Sequence, residues 1–245
     1  MLGGFTDKVP VYIAGGYYEE GKGLKELAAE TEESLSMGAR AIKMKIGGPP
    51  INEDVERVRV VRETAGPDVK VMVDANCALD LATSMEFARL LPQYDVYWFE
   101  EPLPIHEYED HGKLAEASTV KIATGENGYH LAHFKTLLDH KGASILNVDV
   151  GIVPGYDVAM DIANLAAERG VSIAPHGCQE IQLPLVASIP HGDFLEIYPV
   201  AVDPLRAEMF QPLLKPDDDG FVTVPDTPGI GYELNMDLLN RYRVG

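Results

Sequence analysis

Asp74 in VMVDAN, Glu100 in YWFEEP and Glu126 in KIATGEN each close a short apolar run, and they stand at equal intervals along the chain. The interval fits one strand, one helix and their connecting loops. If the three runs are neighbouring strands of a closed parallel barrel, the carboxylates converge at its mouth. Three oxygen ligands at one point suit a hard divalent cation such as Mg²⁺. The run AIKMK adds two cations. Alternation along a strand puts Lys43 and Lys45 on one side, the barrel interior, with Met44 outward among the helices. Interior ammonium groups are costly unless anions compensate them, and the three carboxylates or a bound substrate carboxylate can do so.

Further along, NVDVG places Asp149 and APHG places His176 at the ends of successive apolar runs. If those strands are adjacent, Asp149 accepts a hydrogen bond from His176, which fixes the imidazole tautomer and raises its basicity. Glu196, in DFLEIYP, could hydrogen-bond or protonate a substrate oxygen, or neutralise a lysine.

The elements that must position these residues follow from periodicity. Short β-type runs are expected at Val11–Ala14, Ala41–Lys45, Val71–Ala75, Tyr97–Glu101, Lys121–Ala123, Ile145–Val148, Val171–Ala174 and Phe194–Ile197. Helical stretches lie between them. Leu24, Leu27, Ala28, Thr31 and Leu35 share one face of a helix that stops at Gly38. A second helix opens at Asn52, turns Val55, Val58 and Val61 to one side and ends at Gly66-Pro67. A third starts near Asp80 and carries Leu81, Met85 and Ala88 inward, and a later one runs from about Tyr156 to Gly170. This alternation predicts an α/β fold, a TIM-type barrel of (β/α)7β kind. An open doubly wound sheet would call for a glycine-rich phosphate loop after the first strand, and AGGYYEEGKG lacks the GxGxxG spacing. In such a barrel the active site lies at the C-terminal ends of the strands.

A chain of 245 residues suits one large domain. Its net charge of −19 argues against nucleic acid or an anionic membrane surface as a partner. No apolar stretch is long enough to span a bilayer. With two cysteines, Cys77 and Cys178, in no framework, and no secretory signal at the start, a soluble cytoplasmic protein is expected. After the last strand the composition shifts to Pro, Asp and Gly, which divides the chain into a barrel (1–212) and a C-terminal tail (213–245). The Asp217–Asp219 run reads as a solvated turn before Gly220.

Taken together and in order, AIKMKIGG, VMVDAN, WFEEP, ATGEN, NVDVG, APHG and FLEIYP resemble the barrel domain of the enolase superfamily, within it the mandelate racemase subgroup. The resemblance implies that Asp74, Glu100 and Glu126 ligate Mg²⁺. It implies that Lys45 is one acid/base, that the His176–Asp149 dyad is the other, and that Lys43 assists the substrate carboxylate. Asn76 and Glu196 match positions that touch substrate in relatives. The expected chemistry is abstraction of a proton α to a carboxylate, giving an enediolate that the cation and Lys43 stabilise. Dehydration of an acid sugar to a 2-keto-3-deoxy acid is the leading reading. A racemase or epimerase using the same first step, and a catalytically silent barrel, are the alternatives. The family's N-terminal α+β capping domain is expected to be missing here, since Met1 stands just before the first strand, and a separately encoded cap is a possible partner. The tail, which in relatives packs against that cap, is expected to expose Leu238 and Leu239 and to favour a homo-oligomer.

Overall fold

A computed structural model describes residues 2–244 of the chain. Strand β1 (Lys8–Gly15) leads into α1 (Leu24–Ser36), β2 (Ala41–Lys45), α2 (Ile51–Ala65), β3 (Lys70–Asp74), α3 (Leu81–Leu90), β4 (Val96–Glu100) and α4 (Tyr108–Ala117). The alternation continues through β5 (Lys121–Thr124), α5 (Leu131–Asp139), β6 (Ile145–Leu146), α6 (Tyr156–Glu168), β7 (Ser172–Ile173), α7 (Gln179–Ser188) and β8 (Leu195–Ile197). Each of β1 to β6 pairs in parallel with the next, and β8 pairs in parallel with β1. The ring closes where Ile173 bridges Gly192: Ile173 N donates to His191 O at 3.0 Å and Asp193 N to Ile173 O at 2.7 Å. This is the expected (β/α)7β barrel.

Strand alternation sorts the core into two zones. Ile42, Met44, Val71, Val73 and Phe99 point outward; Met44, Val71, Val73 and Phe99 pack with Val58, Val61 and Phe87 of the helices, while Ile42 joins a neighbouring apolar cluster. Tyr12, Met72, Trp98, Ala123, Ile145 and Ala174 fill the barrel interior, where Tyr12 and Trp98 meet edge to face at 5.2 Å between centroids. The interior floor is therefore apolar, and the polar residues of the next layer up rest on it. Local signals set the helix limits. Asp80 caps α3 by accepting from Thr83 N at 2.8 Å, and Pro92 turns the chain after that helix into a short 3-10 segment.

Beyond β8 the chain forms α8 (Pro204–Met209), β9 (Phe210–Gln211), β10 (Phe221–Thr223), β11 (Glu233–Leu234) and α9 (Met236–Tyr242). β10 runs antiparallel to Lys8–Pro10 of β1, and β9 pairs with β11. Asp217 accepts from Asp219 N and Phe221 N, the solvated turn expected there. Leu238 departs from expectation, because it is buried rather than exposed, and Leu239 is half-buried. Among the described residues of 213–245, the exposed large apolar side chains are Leu234, Met236, Tyr242 and Val244. Leu24 likewise sits in solvent instead of on the packed face of α1, whose buried residues are Leu27, Thr31 and Ser34. Among the described residues, no helix is long and apolar enough to cross a membrane.

Candidate active site

Register brings the first polar layer together. Lys45 of β2 lies beside Asp74 of β3, and Asp74 beside Glu100 of β4. Glu126 follows just after β5. One carboxylate oxygen from each of Asp74, Glu100 and Glu126 lies within 4.8 Å of the others, and all three residues are buried. Lys43 is 1% exposed. Its Nζ is 2.5 Å from Glu100 Oε1, 2.9 Å from Glu196 Oε1, 3.2 Å from Tyr12 Oη and 3.8 Å from Asp74 Oδ2. Lys45 Nζ pairs with Asp74 Oδ2, and its side chain keeps 17% exposure. So the two interior lysines differ. Lys43 is sealed beneath the carboxylates, and Lys45 reaches the open mouth.

Charge in this layer is not balanced. Burial pushes the Glu100 carboxyl up, and Asp74, Glu196 and Glu126 add to that against the pull of Lys43. Burial pushes Glu126 up as well, and Asp74 reinforces it against His176. Glu126 Oε2 is buried with no hydrogen-bond partner. Burial also works against the Lys43 ammonium, but Glu100 and Glu196 outweigh it and hold the group charged. An all-oxygen set with an orphaned buried carboxylate oxygen and mutual repulsion fits a hard divalent cation. The backbone at Asn76 adopts φ 42, in the left-handed region that asparagine tolerates. There Asn76 N donates to Asp74 Oδ1 at 2.9 Å, and its amide nitrogen lies 3.5 Å from Glu126 Oε1.

The other face of the mouth holds the dyad. His176 Nδ1 lies 2.9 Å from Asp149 Oδ2. Asp149 Oδ1 accepts from Gly151 N and from Gln182 Nε2, both at 2.7 Å. Burial would lower the imidazole, but the Asp149 hydrogen bond, with Glu196 and Glu126, raises it to about 9. His176 Nε2 faces Glu126 Oε2 at 3.8 Å and Tyr198 Oη at 3.3 Å. Tyr198 Oη donates to Glu196 Oε2 at 3.0 Å, and Gly177 N donates to the same oxygen at 3.1 Å. Glu196 neutralises a lysine, one of its sequence readings, through its 2.9 Å contact with Lys43. Burial alone would raise its carboxyl, but Lys43 and His176 hold it down.

All nine residues singled out from the sequence therefore meet around one mouth, next to a cleft of about 390 Å³ lined in part by Tyr17, Lys45, Gly47, Gly48 and Asn76. Sequence reasoning missed Tyr198 and Gln182. Tyr198 had a signal, since it stands two residues after Glu196 and alternation puts both on one face. Gln182 had none, because it reaches Asp149 from a helix.

A model of the family described as enolase C-terminal domain-like matches residues 26–238. The chain belongs to that family. It is 33% identical over 247 residues to an arabinonate dehydratase of Saccharolobus solfataricus, covering 99% of this chain and 66% of that protein. A 3,6-anhydro-alpha-L-galactonate cycloisomerase of Streptomyces coelicolor is also 33% identical, over all of this chain and 66% of its own length. The crystal structure of a racemase from Streptomyces coelicolor A3(2) with bound magnesium superposes with a TM-score of 0.91 at 31% identity, covering 99% of this chain and 65% of that one. The chain thus spans about two thirds of the length of these family members.

Proposed function

We propose that this barrel abstracts a proton α to the carboxylate of a sugar acid and expels a β-hydroxyl, yielding a 2-keto-3-deoxy acid. The observation that carries the reading is the buried carboxylate triad flanked by Lys45 on one side and the His176–Asp149 dyad on the other. Asp74, Glu100 and Glu126 would hold Mg²⁺, which when bound supplies Lewis-acid stabilisation of the charge that develops on the substrate carboxylate. Lys43, charged and fixed between Glu100 and Glu196, adds a preorganised positive charge from below. Lys45 and His176 approach the mouth from β2 and from the loop after β7, with β8 and β1 between those strands. One can take the α-proton while the other serves the opposite face. Held protonated by Asp149 and Glu196, His176 can act as the acid that expels the β-hydroxyl; the same acid could return a proton to Cα in an epimerisation, so the product decides between the two. Asn76 and Glu196 are assigned to substrate contact. Residues 1–212 are read as the catalytic barrel, and 213–245 as a tail bordering a capping domain supplied by further sequence or by a second chain.

The deciding experiment incubates the protein with Mg²⁺ and a panel of sugar acids in D₂O. A 2-keto acid product supports dehydration. Deuterium at Cα without loss of water points to epimerisation instead. Mg²⁺-dependent thermal stabilisation without exchange for any acid identifies a silent barrel.

A further inference from the structure

Glu101 directly follows the second carboxylate of the triad. Its backbone lies in the left-handed region, at φ 42, and the residue is fully buried. Its side chain runs between the loops that follow β3 and β5, where its two oxygens receive four donors. Gly125 N, at 2.8 Å, and Thr124 Oγ1 donate to Oε1. Cys77 Sγ at 2.7 Å and Asn127 Nδ2 at 3.2 Å donate to Oε2. Four donors match the number of acceptor positions that a carboxyl side chain's two oxygens offer.

The origin of those donors is informative. Cys77 belongs to the loop that starts at Asp74, and Thr124, Gly125 and Asn127 bracket Glu126. Glu100 is the neighbour of Glu101 itself. One side chain thus ties together the three loops that carry the triad. Backbone bonds complete the tie: Cys77 N donates to Glu101 O at 2.7 Å, and Glu101 N donates to Ala123 O at 2.9 Å. The loops need such a tie, because Asn76, Cys77 and Glu101 all hold positive φ, a conformation that persists only where surrounding contacts over-determine it. A residue kept for packing alone would not need a buried carboxyl with all four acceptor positions filled, since a buried polar group is costly unless it is hydrogen-bonded.

We propose that Glu101 is a positioning residue for the cation site, fixing the mutual geometry of Asp74, Glu100 and Glu126 without touching the ion. The inference rests on reading those three as ligands. Partners that orient ligands typically change metal affinity by about 10–100-fold when altered.

The test uses the full chain and MgCl₂ in isothermal titration calorimetry, with metal-free melting recorded beside it. Glu101→Gln keeps the side chain's shape but turns an amide NH₂ toward donors. Its Mg²⁺ affinity is expected to fall by about 10–100-fold. A purely structural role would lower the metal-free melting temperature and leave the affinity, measured well below melting, equal to wild type. That result overturns the proposal. Asn127→Ala removes a single donor and is expected to weaken Mg²⁺ several-fold. If Glu101→Gln fails to fold, Asn127→Ala decides alone, and an unchanged affinity there also overturns the proposal. Wild-type protein that binds no Mg²⁺ overturns the ligand reading and this inference with it, whereas normal wild-type binding with unaltered variants overturns only the role of Glu101.

Discussion

His176 carries its charge because neighbouring carboxylates outweigh its burial, and that balance is measurable. Its pKa in the fold, about 9, lies above the ordinary value of about 6.5. A raised histidine stabilises the folded state fully below pH ~6.5, and the contribution is lost as pH rises through about 9. Urea midpoints should therefore fall across that window by roughly 1–3 kcal/mol of stability. In Asp149→Asn the slope should flatten, since the largest raising contact is gone. A slope unchanged in the variant would mean that Asp149 does not govern the imidazole. The same variant should lower turnover by about 10²–10⁴-fold, the usual weight of a positioned acid or base, with Mg²⁺ affinity unaltered. Lys43 makes the opposite case. Removing it by Lys43→Met leaves Glu100 and Glu196 as uncompensated buried charges, at a cost of about 3–5 kcal/mol. Mg²⁺ should restore part of that loss in chemical denaturation, because it would bring a second source of positive charge to Glu100, one of the two carboxylates that Lys43 compensates.

Strand ends and the turns after them decide where these groups point. Gly177 shows how tightly: at φ 96, a Cβ there would lie 2.4 Å from Asp149 Oδ2. Gly177→Ala should force Asp149 away from His176 and disturb the Gly177 N–Glu196 bond. The expected outcome is loss of turnover comparable to Asp149→Asn with the Mg²⁺ affinity preserved, and full activity in the variant would contradict it. The strands themselves were legible in the sequence, since a side-chain period of two tells inward from outward at Lys43, Met44 and Lys45. Their lengths were less so. β6 and β7 stop earlier than the apolar runs do: past Leu146 only single backbone bonds remain, Asn147 N to Thr124 O and Ala174 N to Leu146 O, both at 3.0 Å, joined by a side-chain bond from Asn147 Nδ2 to Ala174 O at 2.9 Å. Leu238 was misread for a related reason: α9 packs against α8, and no local pattern names that partner. Cross-element bonds such as Gln182 to Asp149 join residues whose proximity only the closed ring creates.

At the scale of the whole molecule, the barrel brings four carboxylates and two lysines into one buried layer of a chain whose net charge is already −19. Such a layer is a standing cost to folding that a bound divalent cation relieves, so metal and stability must be linked. At Mg²⁺ concentrations near 100 times Kd, linkage stabilises the native state by about 2.7 kcal/mol. For a domain of this size each kcal/mol moves the melting temperature by about 2–4 °C, giving a rise of roughly 5–10 °C over EDTA-treated protein. Simple screening offers a competing cause, because salt also relaxes repulsion between surface acids. The two separate cleanly. Screening acts on the whole surface, so NaCl at matched ionic strength would reproduce the shift and Asp74→Asn would leave it intact. A cation seated in the triad predicts the reverse: little effect of NaCl, a saturable Mg²⁺ response, and its loss in Asp74→Asn. Differential scanning calorimetry of the two proteins in EDTA, NaCl and MgCl₂ tells these apart, and a shift that survives Asp74→Asn would remove the triad from the account.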